Sequence, residues 1–219
     1  MGDWGSKVRG SRLDYKVKAA VLRVNFARPG LMIRTQTILD WMWAAMGVYW
    51  LVSALGAKKT EVNEARPFRI FRLLLLCLMF TLLLTNLLRV GWLAWRFIPD
   101  ADWIRSVGIA VTAAGLALCV WARRHLGEYW SDKVALKVDH QLIRSGPYSF
   151  LRHPIYSGVL LGIAGTALAI GEWRGVIVLV VMTANYWIKA GREDTILAGK
   201  FGAAFEEHRK RAGSLLPKL

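Results

Sequence analysis

The sequence predicts an all-α fold, a polytopic membrane helical bundle of about five transmembrane segments closed by a C-terminal helical hairpin. Three observations carry that prediction. Hydrophobic residues make up 55% of the 219 and the mean hydropathy is +0.33, both above the usual soluble range. Eleven tryptophans suit a chain with two membrane interfaces, where indole rings favour the headgroup zone. Several apolar runs approach or exceed the roughly 20 residues that cross a bilayer as a helix. An open sheet cannot satisfy its backbone in lipid, so these runs are read as helices.

The formal net charge of +15 fits either nucleic acid or an anionic membrane surface. The basic residues flank apolar segments instead of lining one face of a soluble fold, so the partner expected is an anionic membrane surface, and no nucleic acid. Cys77 and Cys119 both lie inside apolar runs. They offer neither metal-ligand spacing nor a disulfide framework and read as small buried hydrophobes.

Along the chain, residues 1–35 form a basic arm, with eight Lys/Arg in 1–34 and no apolar core of a cleavable signal. Residues 36–122 hold three apolar segments, about 36–57 (interrupted by Asp40), 70–98 and 103–122. Residues 123–154 are a long polar loop. The fourth and fifth segments, about 155–170 and 176–188, are separated only by "GEWRG". So short a break makes a tight hairpin whose outer ends return to one side of the membrane. Each arm is shorter than a free-standing span, which tilting or packing inside a bundle accommodates. The charged tail contains "EDTILAGKFGAAFEEHRKR", read as a helix starting near Glu193, and 123–219 is taken as one region.

With five spans, one set of loops and termini (the 58–72 loop, the 123–154 loop and the tail) carries 18 of the 30 Lys/Arg and is assigned to the cytosol. The basic arm, on the other side by this count, either faces out or precedes a first segment that does not fully cross.

The hairpin brings "DHQLIRSGPYSFLRHPIY" (Asp139–Tyr156) and "KAGREDTIL" (Lys189–Leu197) to the same membrane face. A snorkelling rim of anchoring charges is one reading of these blocks. A site is the other, because ionisable groups at the edge of hydrocarbon are costly unless paired or functional. Gly146-Pro147 marks a turn. Pro154 suits the first turn of a helix, which would leave Arg152 and His153 just outside an N-terminus suited to an anion. Glu193 and Asp194 either complement the dipole of the tail helix or recognise a cation such as an ammonium or sulfonium.

The order of residues in "HQLIRSGPYSFLRHPIYSG" (140–158) and "EDTILAGKFG" (193–202) resembles the isoprenylcysteine carboxyl methyltransferase and phospholipid methyltransferase superfamily. The resemblance covers roughly 120–210. It implies an integral membrane enzyme that uses S-adenosyl-L-methionine, releases S-adenosylhomocysteine, and meets its acceptor from the bilayer at a pocket facing the cytosol. Carried over by residue, it implies cofactor binding by His140, Gln141, Leu142, Ile143, Tyr148, His153, Pro154, Ile155, Tyr156 and Glu193. Arg152 and Glu193 are the expected catalytic residues, and Lys189 and Arg152 the expected substrate contacts. Lys189 stands where the prenylcysteine enzymes have a substrate-contacting arginine; it keeps the charge but lacks the planar fork. Phe205 and His208 stand where tyrosines are frequent. The resemblance implies as partner a membrane lipid or lipidated substrate, methylated on a carboxylate oxygen or an amine nitrogen. Two rival readings are a sterol-reductase-like membrane enzyme using NADPH and a non-catalytic scaffold of the same fold.

Overall fold

The computed structural model describes residues 29–54, 66–127 and 142–218. Among them are six α-helices: α1 (Pro29–Ala54), α2 (Arg66–Leu84), α3 (Asp102–Leu126), α4 (Pro154–Ile170), α5 (Trp173–Phe201) and α6 (Ala203–Arg211). Two 3-10 turns, Gly91–Ala94 and Gly146–Ser149, lie between them. Of the described helices, α3 is long and apolar enough to cross a membrane by itself, and Ile70–Leu84 and α4 are shorter apolar helices. The basic arm before Pro29, the loop at 55–65, and His140 and Gln141 fall outside the described residues.

The tightest helix pair is α3 against α4, and small residues make it possible. A Cβ on Gly115 would sit 2.6 Å from the Gly158 carbonyl oxygen, and one on Gly158 would sit 2.6 Å from Cys119 Sγ. Close backbone approach of this kind is how helices associate where lipid removes the hydrophobic drive. Polar groups inside the pair are satisfied locally. The Thr112 hydroxyl donates to the Gly108 carbonyl at 2.9 Å, and Trp43 Nε1 of α1 donates to Thr166 Oγ1 of α4 at 3.0 Å. Around this pair Leu39, Trp43, Met79, Leu83, Ile163 and Met182 form the apolar core joining α1, α2, α4 and α5.

The second segment is shorter than the hydropathy of 70–98 suggests. The helix stops at Leu84, and the chain continues through the turn at Gly91–Ala94 as an arm lying across the hairpin bend. The Phe97 N–H donates to the Gly171 carbonyl, and the Trp173 N–H to the Trp95 carbonyl, each at 3.0 Å. Within "GWLAWRFI", Trp92 and Trp95 are exposed aromatic residues of an interfacial kind, outside any long helix.

The hairpin forms as its short break predicts. Gly171 takes φ +71°, the left-handed cap that a side chain resists, and its N–H closes on the Ala167 carbonyl at 2.8 Å. The second arm departs from expectation. Segment five and the start of the tail helix are one 29-residue helix ending at Gly202. Residues 188–200 contain no proline, and the isolated Gly191 and Gly199 weaken a helix by about 1 kcal/mol each without ending it. At 1.5 Å per residue α5 is about 43 Å long, more than the roughly 30 Å thickness of a hydrocarbon core.

Candidate functional site

At the open end of the hairpin, Pro154 occupies the first helical position of α4 and His153 caps it. The sequence blocks on either side of the hairpin meet here. Glu193 and Asp194 lie about five turns into α5, which removes the helix-dipole role as an account of the acid pair. They face α4 because residues 186, 189 and 193 recur at helical spacing along one side of α5.

Four side chains of α5, Tyr186, Lys189, Glu193 and Asp194, and the residues at the start of α4 form one network. Asp194 accepts from Arg152 Nη2 at 2.9 Å and Nε at 3.2 Å through Oδ2, and from His153 Nε2 at 2.8 Å through Oδ1. The other ring nitrogen of His153, Nδ1, lies 3.3 Å from Glu193 Oε2. Glu193 Oε1 accepts from the Tyr156 hydroxyl at 2.6 Å, with Lys189 Nζ 4.0 Å away. Lys189 also lies over the Tyr156 ring, 4.9 Å from its centroid. The His153, Tyr156 and Tyr186 rings stack in sequence, with centroids 5.4 and 4.8 Å apart.

The electrostatics follow from this pairing. Burial alone would push both carboxyls up. The bond from His153, reinforced by Lys189 at Glu193 and by Arg152 at Asp194, outweighs burial and holds both below the usual carboxylate range. Burial alone would lower His153, but its bonds to Asp194 and Glu193 win and raise it. Burial, then the Glu193 charge, raises the Tyr148 phenol. Burial and the Arg152 and Arg144 charges lower His208.

The C-terminal segment closes the network from beneath. The Arg152 and His153 N–H groups donate to the Gly213 and Ser214 carbonyls at 2.8 and 3.2 Å. Arg152 Nη1 reaches the Ala212 carbonyl at 2.6 Å, and Ser157 Oγ the Leu215 carbonyl at 2.7 Å. Phe205 and His208 are buried behind it.

Of the expected site residues, Arg152, His153, Tyr156, Lys189 and Glu193 come together directly. Pro154 sets the start of α4. Ile143, Tyr148 and Ile155 form an adjoining apolar cluster with Ala122 of α3, and Leu142 precedes it. Arg152 was expected to face an anionic acceptor, yet Nε, Nη1 and Nη2 are turned inward to Asp194 and Ala212. The sequence reading underrated one contributor and missed two. Asp194 is the hub, although it reads as a mere neighbour of Glu193. Tyr186 lies two turns before Glu193, a spacing that could have found it. His125 bonds Ser145 Oγ at 2.8 Å and stacks on Tyr148; its distance in sequence hid it.

Residues 103–204 match the family model described as phospholipid methyltransferase. The matched region, just under half of the chain, is thus similar to the phospholipid methyltransferase family and to isoprenylcysteine O-methyltransferases. The chain is 28% identical over 96 residues to protein-S-isoprenylcysteine O-methyltransferase of Schizosaccharomyces pombe, covering 42% of this chain and 41% of that one. It is 30% identical over 121 residues to cobalt-zinc-cadmium resistance protein CzcN of Cupriavidus metallidurans, covering 55% and 54%. The chain therefore spans about half or less of these curated relatives. The fold is similar to the solved eukaryotic intramembrane Ras methyltransferase ICMT, with a TM-score of 0.51 at 19% identity over 72% of this chain and 54% of that one.

Proposed function

We propose that this chain is an integral membrane methyltransferase using S-adenosyl-L-methionine, with about five spans and its pocket facing the cytosol. Its acceptor is a lipid or lipidated molecule, methylated on a carboxylate oxygen or an amine nitrogen. The observation that carries the reading is the Glu193–His153–Asp194 cluster at the mouth of the hairpin. There two ionised carboxylates lie beside the stacked Tyr156 and Tyr186 rings.

That donor set fits the proposed cofactor. An ammonium suits a partly buried carboxylate, and a sulfonium suits aromatic faces. Glu193 and Tyr148 would hold it, with Leu142, Ile143 and Ile155 beside them, while Tyr156, its ring stacked between His153 and Tyr186, contributes through its hydroxyl on Glu193. When bound, it supplies a methyl already activated for displacement, so the protein's task is alignment, worth on the order of 7–11 kcal/mol at most. Tyr156 and His153 orient the Glu193 carboxylate. In that state Glu193 holds a cation or receives the proton of an amine acceptor; a carboxylate acceptor needs no base. Lys189, one helical turn from Glu193, is placed to meet an anionic part of the acceptor as a point charge.

The test incubates purified protein with methyl-labelled donor and membrane lipid extracts, alongside calorimetric titration with S-adenosylhomocysteine. Binding and label transfer into the lipid phase are expected. Binding of NADPH in place of S-adenosylhomocysteine would favour the reductase-like reading, and binding of neither would leave a scaffold.

A further inference from the structure

We propose that Asp194 is a positioning residue of this site: by gripping Arg152 and His153 Nε2 it fixes the His153 ring so that Nδ1 orients the Glu193 carboxylate. The inference rests on the cofactor reading above. Its basis is geometric. His153 stands between two acids, with Nε2 2.8 Å from Asp194 and Nδ1 3.3 Å from Glu193. A neutral imidazole has one donor nitrogen and would turn a lone pair toward one carboxylate, whereas the imidazolium donates to both. The charges along the chain Arg152, Asp194, His153, Glu193, Lys189 then alternate. Asp194 is anchored by the Arg152 fork, and Arg152 in turn by the Ala212 carbonyl, so its oxygens are fixed before any ligand arrives. Among these residues Asp194 alone contacts both Arg152 and His153, and it acts on Glu193 only through the ring.

The consequence is a dependence on pH. The charged groups around His153 are Arg152 before it, Lys189, Glu193 and Asp194 from α5, and His208 from α6, which couples to it through charge. Tyr156 stacks on the ring. The His153 pKa is raised in the folded protein, so the imidazolium persists above the ordinary histidine value of about 6.5 and is lost as pH rises through the raised value. Asp194→Asn removes one acid and one acceptor, which moves that loss to lower pH.

The experiment titrates full-length protein in detergent with S-adenosylhomocysteine from pH 6 to pH 9, for the parent, Asp194→Asn, Asp194→Glu and His153→Gln. Asp194→Asn is expected to bind about tenfold more weakly at neutral pH, the size of losing one charge-assisted bond. Its alkaline fall in affinity should begin at lower pH than in the parent, Asp194→Glu should recover part of both effects, and His153→Gln should lose the fall that differs between variants. Titration of the ligand's own amine is common to every variant and cancels in the comparison. If Asp194→Asn lowers only the melting temperature while affinity keeps the parental pH profile, the residue is structural and the inference is overturned. If Asp194→Asn does not fold, a His153→Gln profile matching the parent overturns it instead. A parent that binds nothing at any pH refutes the cofactor reading itself, a different result from a parent that binds and variants that do not differ.

Discussion

The α4–α5 hairpin carries a buried ionic cluster at each end, and the two are built differently. At the bend, Glu172 is fully buried and gives one oxygen to Arg89 at 2.9 Å and the other to Arg174 at 2.8 Å. Arg174, itself 1% exposed, directs Nη1 to the Leu82 and Thr85 carbonyls at the end of α2. Arg96 reaches the Ile170 carbonyl at the end of α4. The arginines there satisfy backbone acceptors that helix ends leave open. At the open end, two carboxylates meet a histidine, an arginine, a tyrosine and a lysine, and the acids keep 19% and 16% of their side-chain surface in contact with solvent. A buried ion cluster is therefore not a functional site by virtue of its charge. The bend ends on the protein's own backbone and locks the connection, whereas the open end pairs side chains with one another and leaves its two acids partly exposed, as the proposed site requires.

Four substitutions break or sharpen that contrast. The largest effect is expected at the bend. Arg174→Ala leaves Glu172 and two carbonyls short of partners in a dry site, and removing one partner of a buried pair costs about 3–5 kcal/mol. Thermal melting in detergent should fall sharply, and any protein that folds should bind S-adenosylhomocysteine like the parent.

Glu193→Gln should do the reverse. Losing a charge-assisted bond of about 1.5–3 kcal/mol should weaken cofactor affinity roughly tenfold to a hundredfold while the melting temperature changes little. Calorimetry and melting on one preparation measure both, and a variant that binds like the parent would remove Glu193 from the site.

Gly115→Ala lies between the two ends. Its Cβ would meet the Gly158 carbonyl oxygen at 2.6 Å and push α3 off α4, at an overpacking cost of about 1–3 kcal/mol. Because α4 runs from one cluster to the other, melting temperature and affinity should fall together. A loss confined to one of them would show the ends to be independent of that contact.

The smallest effect is expected from Glu207→Gln on α6, whose carboxylate pairs in the open with Arg211 at 2.7 Å and Arg144 at 3.8 Å. Exposed pairs contribute about 0–1 kcal/mol, so both readouts should stay near the parent.

The sequence by itself determined the hairpin and its polar mouth. Gly171 after an apolar run, Pro154 before it, and the five-residue break between arms are local signals, and local signals survive without knowledge of neighbours. The motif positions Arg152, His153, Tyr156 and Glu193 were legible because residue order carries them. Only the tertiary structure decided the rest. The end of α2 at Leu84 is met by Arg174, some 90 residues away, which takes up the Leu82 and Thr85 carbonyls. That α5 runs unbroken through Glu193 turns the acid pair from a helix cap into a lateral face, a matter of continuity which polarity misjudged. That Asp194 is the hub, and that carbonyls of residues 212–215 close the site, follows from contacts between segments distant in sequence. Backbone carbonyls are the same at every position, so no residue type announces which of them a distant arginine will find.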